Sequence, residues 1–209
     1  MLKRPTFFLD TQVCTGCKTC IIACKDKNNL PEGVRWRRVV EFAGGDWILQ
    51  EDGTVRQNVF AYYLSVGCNH CRDPICAEVC PSTAMHRDDR GIVAIDLEKC
   101  VGCRYCEWAC PYSAPQFDAT IGQMTKCDFC QDELERGGTP ACVAACPTRA
   151  LQFGEYEALA ARLVSDSIMV PLPPRELTDP NFILAPHRIS RTGHARNGTI
   201  CNPEEVRDA

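Results

Sequence analysis

The sequence of 209 residues lacks the features that identify several common classes of protein. It has no run of about 18 apolar residues, the length that a membrane-spanning helix needs. Residues 1–10 carry two cations but only a short apolar stretch before Asp10, so we expect no secretory signal there. Neither G-x-G-x-x-G nor a P-loop, the glycine-rich motifs that hold nucleotide phosphates, is present. We therefore expect a chain that is soluble when made and has no nucleotide cofactor.

Positive charge is also scarce. The formal net charge is −4, from 23 Lys and Arg against 27 Asp and Glu. This balance excludes the basic surface that nucleic-acid-binding proteins need. No nucleic-acid partner is therefore expected.

Cysteine, by contrast, is abundant, with 17 residues. Sixteen of them fall into four runs, and the third run, which ends at Pro111, has the spacing C-x2-C-x2-C-x3-C-P. The first run repeats this spacing, the second has two extra residues before its third cysteine, and the fourth has a long insertion there. Three runs end in Cys-Pro, the first ends in Cys24-Lys25, and Cys201 lies outside them all.

The spacing is that of bacterial two-cluster ferredoxins, in which the fourth cysteine of a run binds the other cluster. Cysteines at every third residue let a short loop wrap one cluster, whereas a cysteine four residues further on lies one helical turn away. The first run then pairs with the fourth, and the second with the third. The predicted sites are site 1 (Cys14, Cys17, Cys20, Cys146), site 2 (Cys24, Cys127, Cys130, Cys142), site 3 (Cys68, Cys71, Cys76, Cys110) and site 4 (Cys80, Cys100, Cys103, Cys106).

Two other kinds of cysteine-rich protein have to be compared with this one. A disulfide framework does not require four runs of nearly identical spacing. Structural zinc sites usually pair two separated clips of two ligands, whereas three of these runs place four cysteines within 11 to 13 residues. Iron–sulfur ligation is therefore favoured, with four [4Fe–4S] clusters as the cofactors.

The pairing predicts an α+β fold of two ferredoxin-like two-cluster [4Fe–4S] modules, one nested within the other. Residues 1–30 and 119–155 form the first module, residues 66–118 form the second, and residues 31–65 form a β-hairpin insertion. Residues 156–209 form a helix and an extended C-terminal arm, for which a mobile terminus is the alternative. Without its clusters we expect the chain to be unfolded, because ligation supplies free energy that a small core lacks.

Local patterns predict the further elements. Strands are predicted for residues 6–10, 34–42, 55–65, 84–86, 92–96 and 150–153. Helices are predicted for residues 18–28, 73–80, 104–110, 131–141, 141–146 and 156–164, and the one in residues 131–141 is expected to end at Gly137-Gly138. In the first helix, Ile21, Ile22 and Cys24 are expected to face the core.

The residues between the cysteines carry a resemblance to a known family. They include Cys14-Thr-Gly-Cys-Lys-Thr-Cys20, Ala43-Gly-Gly-Asp-Trp47, Gln57-Asn-Val-Phe-Ala-Tyr-Tyr-Leu-Ser65, Cys68-Asn-His-Cys71, Ala109-Cys-Pro-Tyr112 and Met124-Thr-Lys-Cys-Asp128. In these motifs, which span residues 6 to about 155, the chain resembles the four-cluster iron–sulfur subunits of molybdopterin oxidoreductases, and most of all the dimethyl sulfoxide reductase type. Cys103 separates it from subunits that resemble those of nitrate reductase, which have Trp at this position and hold a three-iron cluster there.

The resemblance implies a non-catalytic electron-transfer role in anaerobic respiration. Electrons would pass through the four clusters between an integral membrane anchor that oxidises quinol and a molybdopterin-containing catalytic subunit. Site 1 would lie nearest the catalytic subunit and site 4 nearest the anchor. The chain would be membrane-associated through its partners, at the periplasmic face after folded co-export or at the cytoplasmic face.

Other functions remain as alternatives. The same cysteine pattern occurs in the matching subunits of formate dehydrogenase and of polysulfide or thiosulfate reductase, so the same role in such a molybdenum or tungsten complex is one alternative. A self-standing iron–sulfur enzyme would need an open iron or a second cofactor motif, and the sequence has neither. A zinc-stabilised interaction module is the last.

Five further residues have more than one interpretation. His70 could tune the cluster whose ligands flank it, or could simply pack in its loop. Arg104 and Tyr105 could face a quinol-side partner or could have solvated or packed roles. Trp108 is expected in the core rather than in an electron relay, and Cys201 is expected to be a free thiol without function.

Overall fold

The computed structural model describes residues 2–163, 170–192 and 197–206 as a mixed α/β fold. Its strands are β1 Pro5–Asp10, β2 Arg38–Gly44, β3 Trp47–Leu49, β4 Val55–Gln57, β5 Phe60–Val66, β6 Met85–Arg87, β7 Val93–Ile95, β8 Gln116–Asp118, β9 Gln123–Thr125, β10 Leu151–Glu155, β11 Phe182–Ala185 and β12 Thr199–Ile200. Its α-helices are α1 Thr19–Lys27, α2 Ile75–Glu78, α3 Tyr105–Ala109, α4 Gln131–Glu135, α5 Ala141–Ala144 and α6 Tyr156–Ala160. Within these ranges, every helix is too short or too polar to cross a bilayer.

The first sheet joins the two ends of the chain. β1 is its central strand and pairs antiparallel with β10 and parallel with β11. Apolar residues occupy both faces of β1, because both faces are covered. Phe7 and Leu9 face the main core, whereas Phe8 packs against Leu159 and Ile183 on the other side. The sheet therefore separates the main core from a small cluster beneath α6.

Two of the three strands of the second sheet come from residues 31–65, which contain no cysteine. β2 pairs antiparallel with β5, and the short strand β12 pairs with the other edge of β2. The ring of Phe42 lies 5.3 Å from that of Tyr62 and 6.2 Å from that of Phe60. Val39 and Ser65 of this sheet line the pocket that also contains the cysteines of site 1. The sheet thus covers one of the predicted cluster sites.

The helices lie where the sequence predicts them but are shorter. The predicted helices at residues 73–80 and 104–110 are observed at Ile75–Glu78 and Tyr105–Ala109. Cys110 ends the second of these in an extended conformation, with φ −76° and ψ 115°. The residue before a proline avoids helical geometry, so Pro111 sets this boundary.

The burial of α1 differs from the prediction at one residue. Ile21 and Cys24 are buried as expected, but the prediction for Ile22 is wrong, since its side chain is 65% exposed. With 3.6 residues in each turn, consecutive side chains point about 100° apart. Ile22 therefore lies beside the face that carries Ile21 and Cys24.

Three other segments can be compared with the prediction. The helix predicted within residues 131–141, with its end at Gly137-Gly138, does end there: its last residue is Glu135, because Gly137 adopts φ 76° and its N–H bonds to the Leu134 carbonyl. The segments before and after residue 120 pair as the hairpin β8–β9, which the sequence does not predict. The last predicted helix ends at Ala160, and its predicted end, Val164, lies outside the described residues.

The described part of the C-terminal arm lies on the rest of the chain. Besides contributing β11 and β12, it holds two buried asparagines that bond to the sheets. The amide of Asn181 donates to the Pro5 carbonyl at 2.7 Å. Asn202 donates to the Val39 carbonyl at 2.8 Å and accepts from the N–H of Glu41 at 2.7 Å. Residues of this segment thus pair with and bond to both sheets, and the arm itself stays a prediction.

Candidate iron–sulfur centres

All seventeen cysteines lie in described segments, and all are free thiols. The disulfide framework therefore has no support in this structure. Two pockets are each lined by four cysteines of the runs, those of sites 1 and 4, whereas the cysteines of sites 2 and 3 are located by their effects on one another's pKa. The assignment of all sixteen to four clusters stays a prediction. Cys201 lies apart, exposed, with its thiol 3.8 Å from the Thr199 carbonyl.

Site 1 is a pocket beneath the second sheet. Its four cysteines line an empty space of about 330 Å³, part of it open to solvent. Leu9, Val39 and Leu151 supply the apolar wall. Burial raises the pKa of Cys14, and the nearby sulfurs of its three partners add to the increase.

Site 4, like site 1, is a pocket lined by four cysteines and by apolar side chains. Its four cysteines line an empty space of about 300 Å³, with Met85, Ile95 and Met124 as the apolar wall. Burial raises the pKa of Cys106 to about 12, and the sulfurs of Cys80, Cys103 and Cys100 contribute further. The second and third runs thus meet here through Cys80, as the exchange requires.

The cysteines of site 2 are all buried. Burial raises the pKa of Cys24 to about 12; Arg37 opposes the increase, and the sulfurs of Cys142 and Cys130 add to it. The pKa of Cys127 is raised well above its usual value, first by burial and then by Cys24 and Cys142. The mutual influence of these thiols indicates that the four of them lie together.

Site 3 is brought together in the same way. Burial raises the pKa of Cys71 to about 12, with further contributions from the sulfurs of Cys68 and Cys110. The pKa of Cys76 is raised by burial and by the same two neighbours. Cys110 therefore joins the second run, although its own run forms most of site 4.

The donor set and its spacing fit [4Fe–4S] clusters. Each thiolate of a cubane binds a different iron, so the four sulfurs surround the cluster rather than meeting at one ion. In the part of the chain that the structure describes, no three His, Cys, Asp or Glu side chains converge closely enough to hold a single metal ion. The sixteen thiols would hold the clusters, and the walls of the sites are apolar.

A left-handed residue precedes the second cysteine of every run. It is Gly16 and Gly102 in sites 1 and 4, each with φ 67°, and His70 and Phe129 in the other two runs, with φ 43° and 65°. Glycine is required at the first two positions. A Cβ on Gly16 would lie 2.3 Å from the ring of Tyr63, and one on Gly102 would lie 2.3 Å from the Gly122 carbonyl oxygen.

Hydrogen bonds to the thiols come from residues that the cysteine pattern does not reveal. The Thr19 hydroxyl lies 3.3 Å from the sulfur of Cys17 and lowers its pKa. The hydroxyl of Ser65 lies 3.3 Å from the sulfur of Cys20. At Cys80, burial opposes deprotonation, but the Met85 N–H at 3.4 Å and other donors lower the pKa overall.

Arg37 and Lys126, two of the three buried cations of the described chain, were not identified as site residues from the sequence. Arg37 is 2% exposed, with its guanidinium 4.3 Å from the centre of the Phe7 ring. Burial alone would lower its pKa, but the sulfurs of Cys142, Cys127, Cys20 and Cys24 raise it. Lys126 is 4% exposed and donates to the carbonyl of its neighbour Cys127 at 3.0 Å, and also to that of Val93.

The sequence gives only a weak indication that these two cations lie near the cysteines. Lys126 directly precedes a predicted ligand, and Arg37 lies in the predicted strand of residues 34–42, between Trp36 and Arg38. Neither signal separates a buried cation from a surface one. The fold alone makes that distinction, by covering both residues.

The remaining residues singled out from the sequence fall in different places. His70 is fully buried, so it packs within the protein rather than facing solvent. Trp108 is 71% exposed, so its predicted place in the core is wrong. Since α3 has only five residues, only one of its faces can lie against site 4, and that face carries Cys106. Tyr105 is also exposed, and Arg104 pairs with Glu107 at 2.6 Å.

Comparison with known proteins identifies the family. A 4Fe-4S dicluster domain matches residues 59–156. The sequence is 51% identical over 207 residues to the B subunit of anaerobic dimethyl sulfoxide reductase of Escherichia coli, with 99% of this protein and 100% of that one covered. It is 48% identical over 205 residues to the same subunit of Haemophilus influenzae, at 98% and 100% coverage. The protein belongs to the family of dimethyl sulfoxide reductase B subunits.

A more distant relative extends this result. The thiosulfate reductase electron transfer subunit of Salmonella typhi is 38% identical over 149 residues, which cover 71% of this protein and 74% of that one. The B subunits are iron–sulfur electron-transfer subunits of reductases rather than their catalytic subunits. This member of the family therefore has [4Fe–4S] centres and an electron-transfer role.

Proposed function

We propose that this chain carries electrons through four [4Fe–4S] clusters, one in each of sites 1 to 4. The donor would be an integral membrane anchor subunit that oxidises quinol. The acceptor would be a molybdopterin-containing catalytic subunit of a dimethyl sulfoxide-type respiratory reductase. Residues 1–30 with 119–155 and residues 66–118 would be the two two-cluster modules, residues 31–65 an insertion, and residues 156–209 the helix and arm.

The observation that carries the proposal is the distribution of exposure among the ligands. Of the sixteen cysteines, only Cys17 in site 1 and Cys103 in site 4 are exposed. The ligands of sites 2 and 3 are buried or half-buried. An electron path needs two accessible ends and an insulated middle, and this arrangement supplies both.

The neighbour relations of the thiols support a linear order. The pKa of Cys20 in site 1 is raised mainly by burial and to a smaller extent by Cys142 of site 2. The pKa of Cys127 in site 2 is likewise raised mainly by burial and to a smaller extent by Cys68 of site 3. Sites 3 and 4 are joined by the adjacent helices α2 and α3: α2 holds Cys76 of site 3 and is followed by Cys80 of site 4, whereas α3 holds Cys106 of site 4 and ends at Cys110 of site 3. These relations favour the order 1–2–3–4.

When bound, each cluster accepts and releases one electron. The work of the chain is to hold the clusters in fixed positions, to exclude water from the two in the middle and to set the potentials through charge and hydrogen bonds. The hydroxyls of Thr19 and Ser65 contribute to site 1, and the cations Arg37 and Lys126 contribute to the middle of the series. No residue is required to act as an acid, base or nucleophile.

Exposed apolar side chains surround both accessible ends. Val13 and Ile22 are exposed near site 1, and Val101, Tyr105 and Trp108 are exposed near site 4. We assign the catalytic subunit to the end with site 1 and the membrane anchor to the end with site 4. The chain would be held at the membrane by these partners, and we place it at the periplasmic face after folded co-export.

The first test is the metal content of the purified chain and the effect of one ligand substitution. We expect a brown protein with about sixteen iron atoms, four for each cluster. Cys103→Ser should convert site 4 into a three-iron cluster with its own electron paramagnetic resonance signal, because one corner iron loses its thiolate. The matched control is Cys201→Ser, an exposed cysteine outside the runs, which should leave all four cubanes intact. A colourless zinc protein, or four intact cubanes in the Cys103→Ser variant, would refute the proposal.

The second candidate is the same role in a thiosulfate or polysulfide reductase, or in a formate dehydrogenase. The thiosulfate reductase relative, at 38% identity, supports it less than the dimethyl sulfoxide reductase relatives at 48% and 51%. Reconstitution with the catalytic subunit encoded beside it, followed by assays with dimethyl sulfoxide and thiosulfate in parallel, separates the two. Turnover with thiosulfate alone would favour the second candidate.

A further inference from the structure

The four loops between first and second cysteines differ in one respect. The left-handed position is glycine in the runs that supply sites 1 and 4, but it is His70 in the run of site 3 and Phe129 in that of site 2. A side chain with a Cβ is disfavoured in this conformation, and a bulky ring more so than most. Rings at these two positions therefore require a compensating interaction.

That interaction is a stack between the two rings. The centres of His70 and Phe129 lie 3.8 Å apart, with the ring planes inclined by 19°. Both residues are fully buried, and Phe129 also contacts Phe7 at 4.8 Å and Phe153 at 5.2 Å. Since His70 lies between two ligands of site 3 and Phe129 between two ligands of site 2, the stack lies where the two middle sites meet.

The histidine has one nitrogen bonded and one without a partner. Nδ1 accepts the N–H of Val93 at 3.1 Å, so the proton of the neutral ring lies on Nε2. Nε2 is buried, and within the described part of the chain it has no hydrogen-bond partner. A buried N–H without an acceptor is rare in proteins and requires an explanation.

We propose that His70 donates this Nε2–H to a sulfur of the cluster in site 3 and so raises that cluster's reduction potential. The inference rests on the proposed ligation of site 3 by Cys68, Cys71, Cys76 and Cys110. Reduction adds negative charge to the cluster, and a hydrogen-bond donor stabilises the more negative state. The stack on Phe129 holds the imidazole in place, so Phe129 positions the ring and His70 makes the contact with the cluster.

The test is a redox titration of the loaded protein, followed by electron paramagnetic resonance. His70→Phe keeps a ring for the stack but removes the N–H. We expect the equilibrium constant for one-electron reduction at site 3 to fall about tenfold, which is about 59 mV, while the other three potentials stay within error. Site 3 is assigned by the signal that Cys71→Ser alters. The matched control is His86→Phe, because His86 is an exposed histidine whose ring bonds to the Ala84 carbonyl.

A second measurement is made on the native chain, so it does not depend on the folding of the His70→Phe variant. The native chain is labelled with histidine carrying 15N in the ring, and pulsed electron paramagnetic resonance is recorded on reduced site 3. One coupled ring nitrogen, retained in His86→Phe, supports the proposal. Four loaded clusters without this coupling, or with an unshifted potential in His70→Phe, overturn it. A native chain that lacks four clusters would instead refute the proposed function.

Discussion

Sites 1 and 4, the terminal sites, and sites 2 and 3, the central sites, use the same kind of ligand in different surroundings. Each terminal site exposes one cysteine and has glycine before its second ligand. The central sites expose none, have aromatic rings at that position and lie close to the buried cations Arg37 and Lys126. Sets of four cysteines in one chain can therefore differ in solvent exposure, in the residue that precedes the second cysteine and in nearby buried charge.

Electrostatics accounts for the difference. Four thiolates carry more negative charge than the cluster core offsets, and the charged form is disfavoured where water is excluded. At the terminal sites, solvent can stabilise this charge, and at site 1 Arg37 also acts on Cys20, whose pKa burial raises and Arg37 lowers. At the central sites, the chain supplies buried positive charge instead, since an uncompensated buried charge is costly. The cations are therefore expected to matter most where the thiols are most buried.

Removal of iron and sulfide should have the largest effect. The main core contains Cys20, Cys24, Cys68, Cys127, Cys142 and Cys146 among its apolar residues, so emptying the central sites removes the centre of the packing. We expect the cluster-free chain to be unfolded, with no cooperative transition in a thermal melt followed by circular dichroism. A cooperative melt of iron-free protein would show that the central sites are not a structural requirement.

Replacement of Arg37 should have the next largest effect. Arg37→Met leaves the thiolates around it without their counter-charge, and removal of one partner from a buried charged group costs about 3 kcal/mol or more. We expect loss of iron from site 2, with sites 3 and 4 retained, and partial recovery in Arg37→Lys. Iron analysis and electron paramagnetic resonance measure this. Arg56→Met, at an exposed position on β4, is the control, and equal behaviour of the two variants would remove the electrostatic distinction between the sites.

The smallest effect should come from an exposed ring at a terminal site. Trp108→Ala should change the free energy of unfolding by no more than about 0.5 kcal/mol, because the side chain is 71% exposed. Phe129→Leu, at the central stack, should cost about 1 to 2 kcal/mol through the loss of ring contacts. Thermal denaturation of the loaded proteins compares them. Trp108→Ala should instead weaken co-purification with the membrane anchor, and unchanged binding would remove Trp108 from the interface.

The cysteine sites were the most predictable part of the molecule. Ligand spacing is a local property: the four-residue offset predicts that the fourth cysteine of a run serves another cluster, and the nested order of the runs predicts that Cys146 joins the first run and Cys110 the second. Whether an aromatic ring or a charged side chain is buried depends on the whole fold rather than on the neighbouring sequence. The size and aromatic character of Trp108 favour a place in the core, but its helix is too short to bury both sides of itself. The burial of Arg37 could not be predicted, because charged residues are seldom buried without partners and are therefore expected at the surface.

The strands were predictable to a similar extent. β1, β2 and β5 have the β-branched and aromatic composition of covered strands, and they occur near the predicted positions. β8 and β9 were missed, because each has three residues and the pairing depends on the turn between them. β11 and β12 were missed as strands, since their hydrogen-bonding partners lie more than 150 residues earlier in the chain.

The position of β1 also determines the order in which the chain can be completed during synthesis. This strand is made first, yet its two neighbours are residues 151–155 and 182–185. One edge of β1 has unpaired backbone groups until residue 155 has been made and the other until residue 185, and such edges invite aggregation. On the proposed ligand sets, site 1 must also wait for Cys146, which comes just before β10. The cysteines of residues 68–110 are complete earlier, so on this proposal maturation during synthesis begins with them.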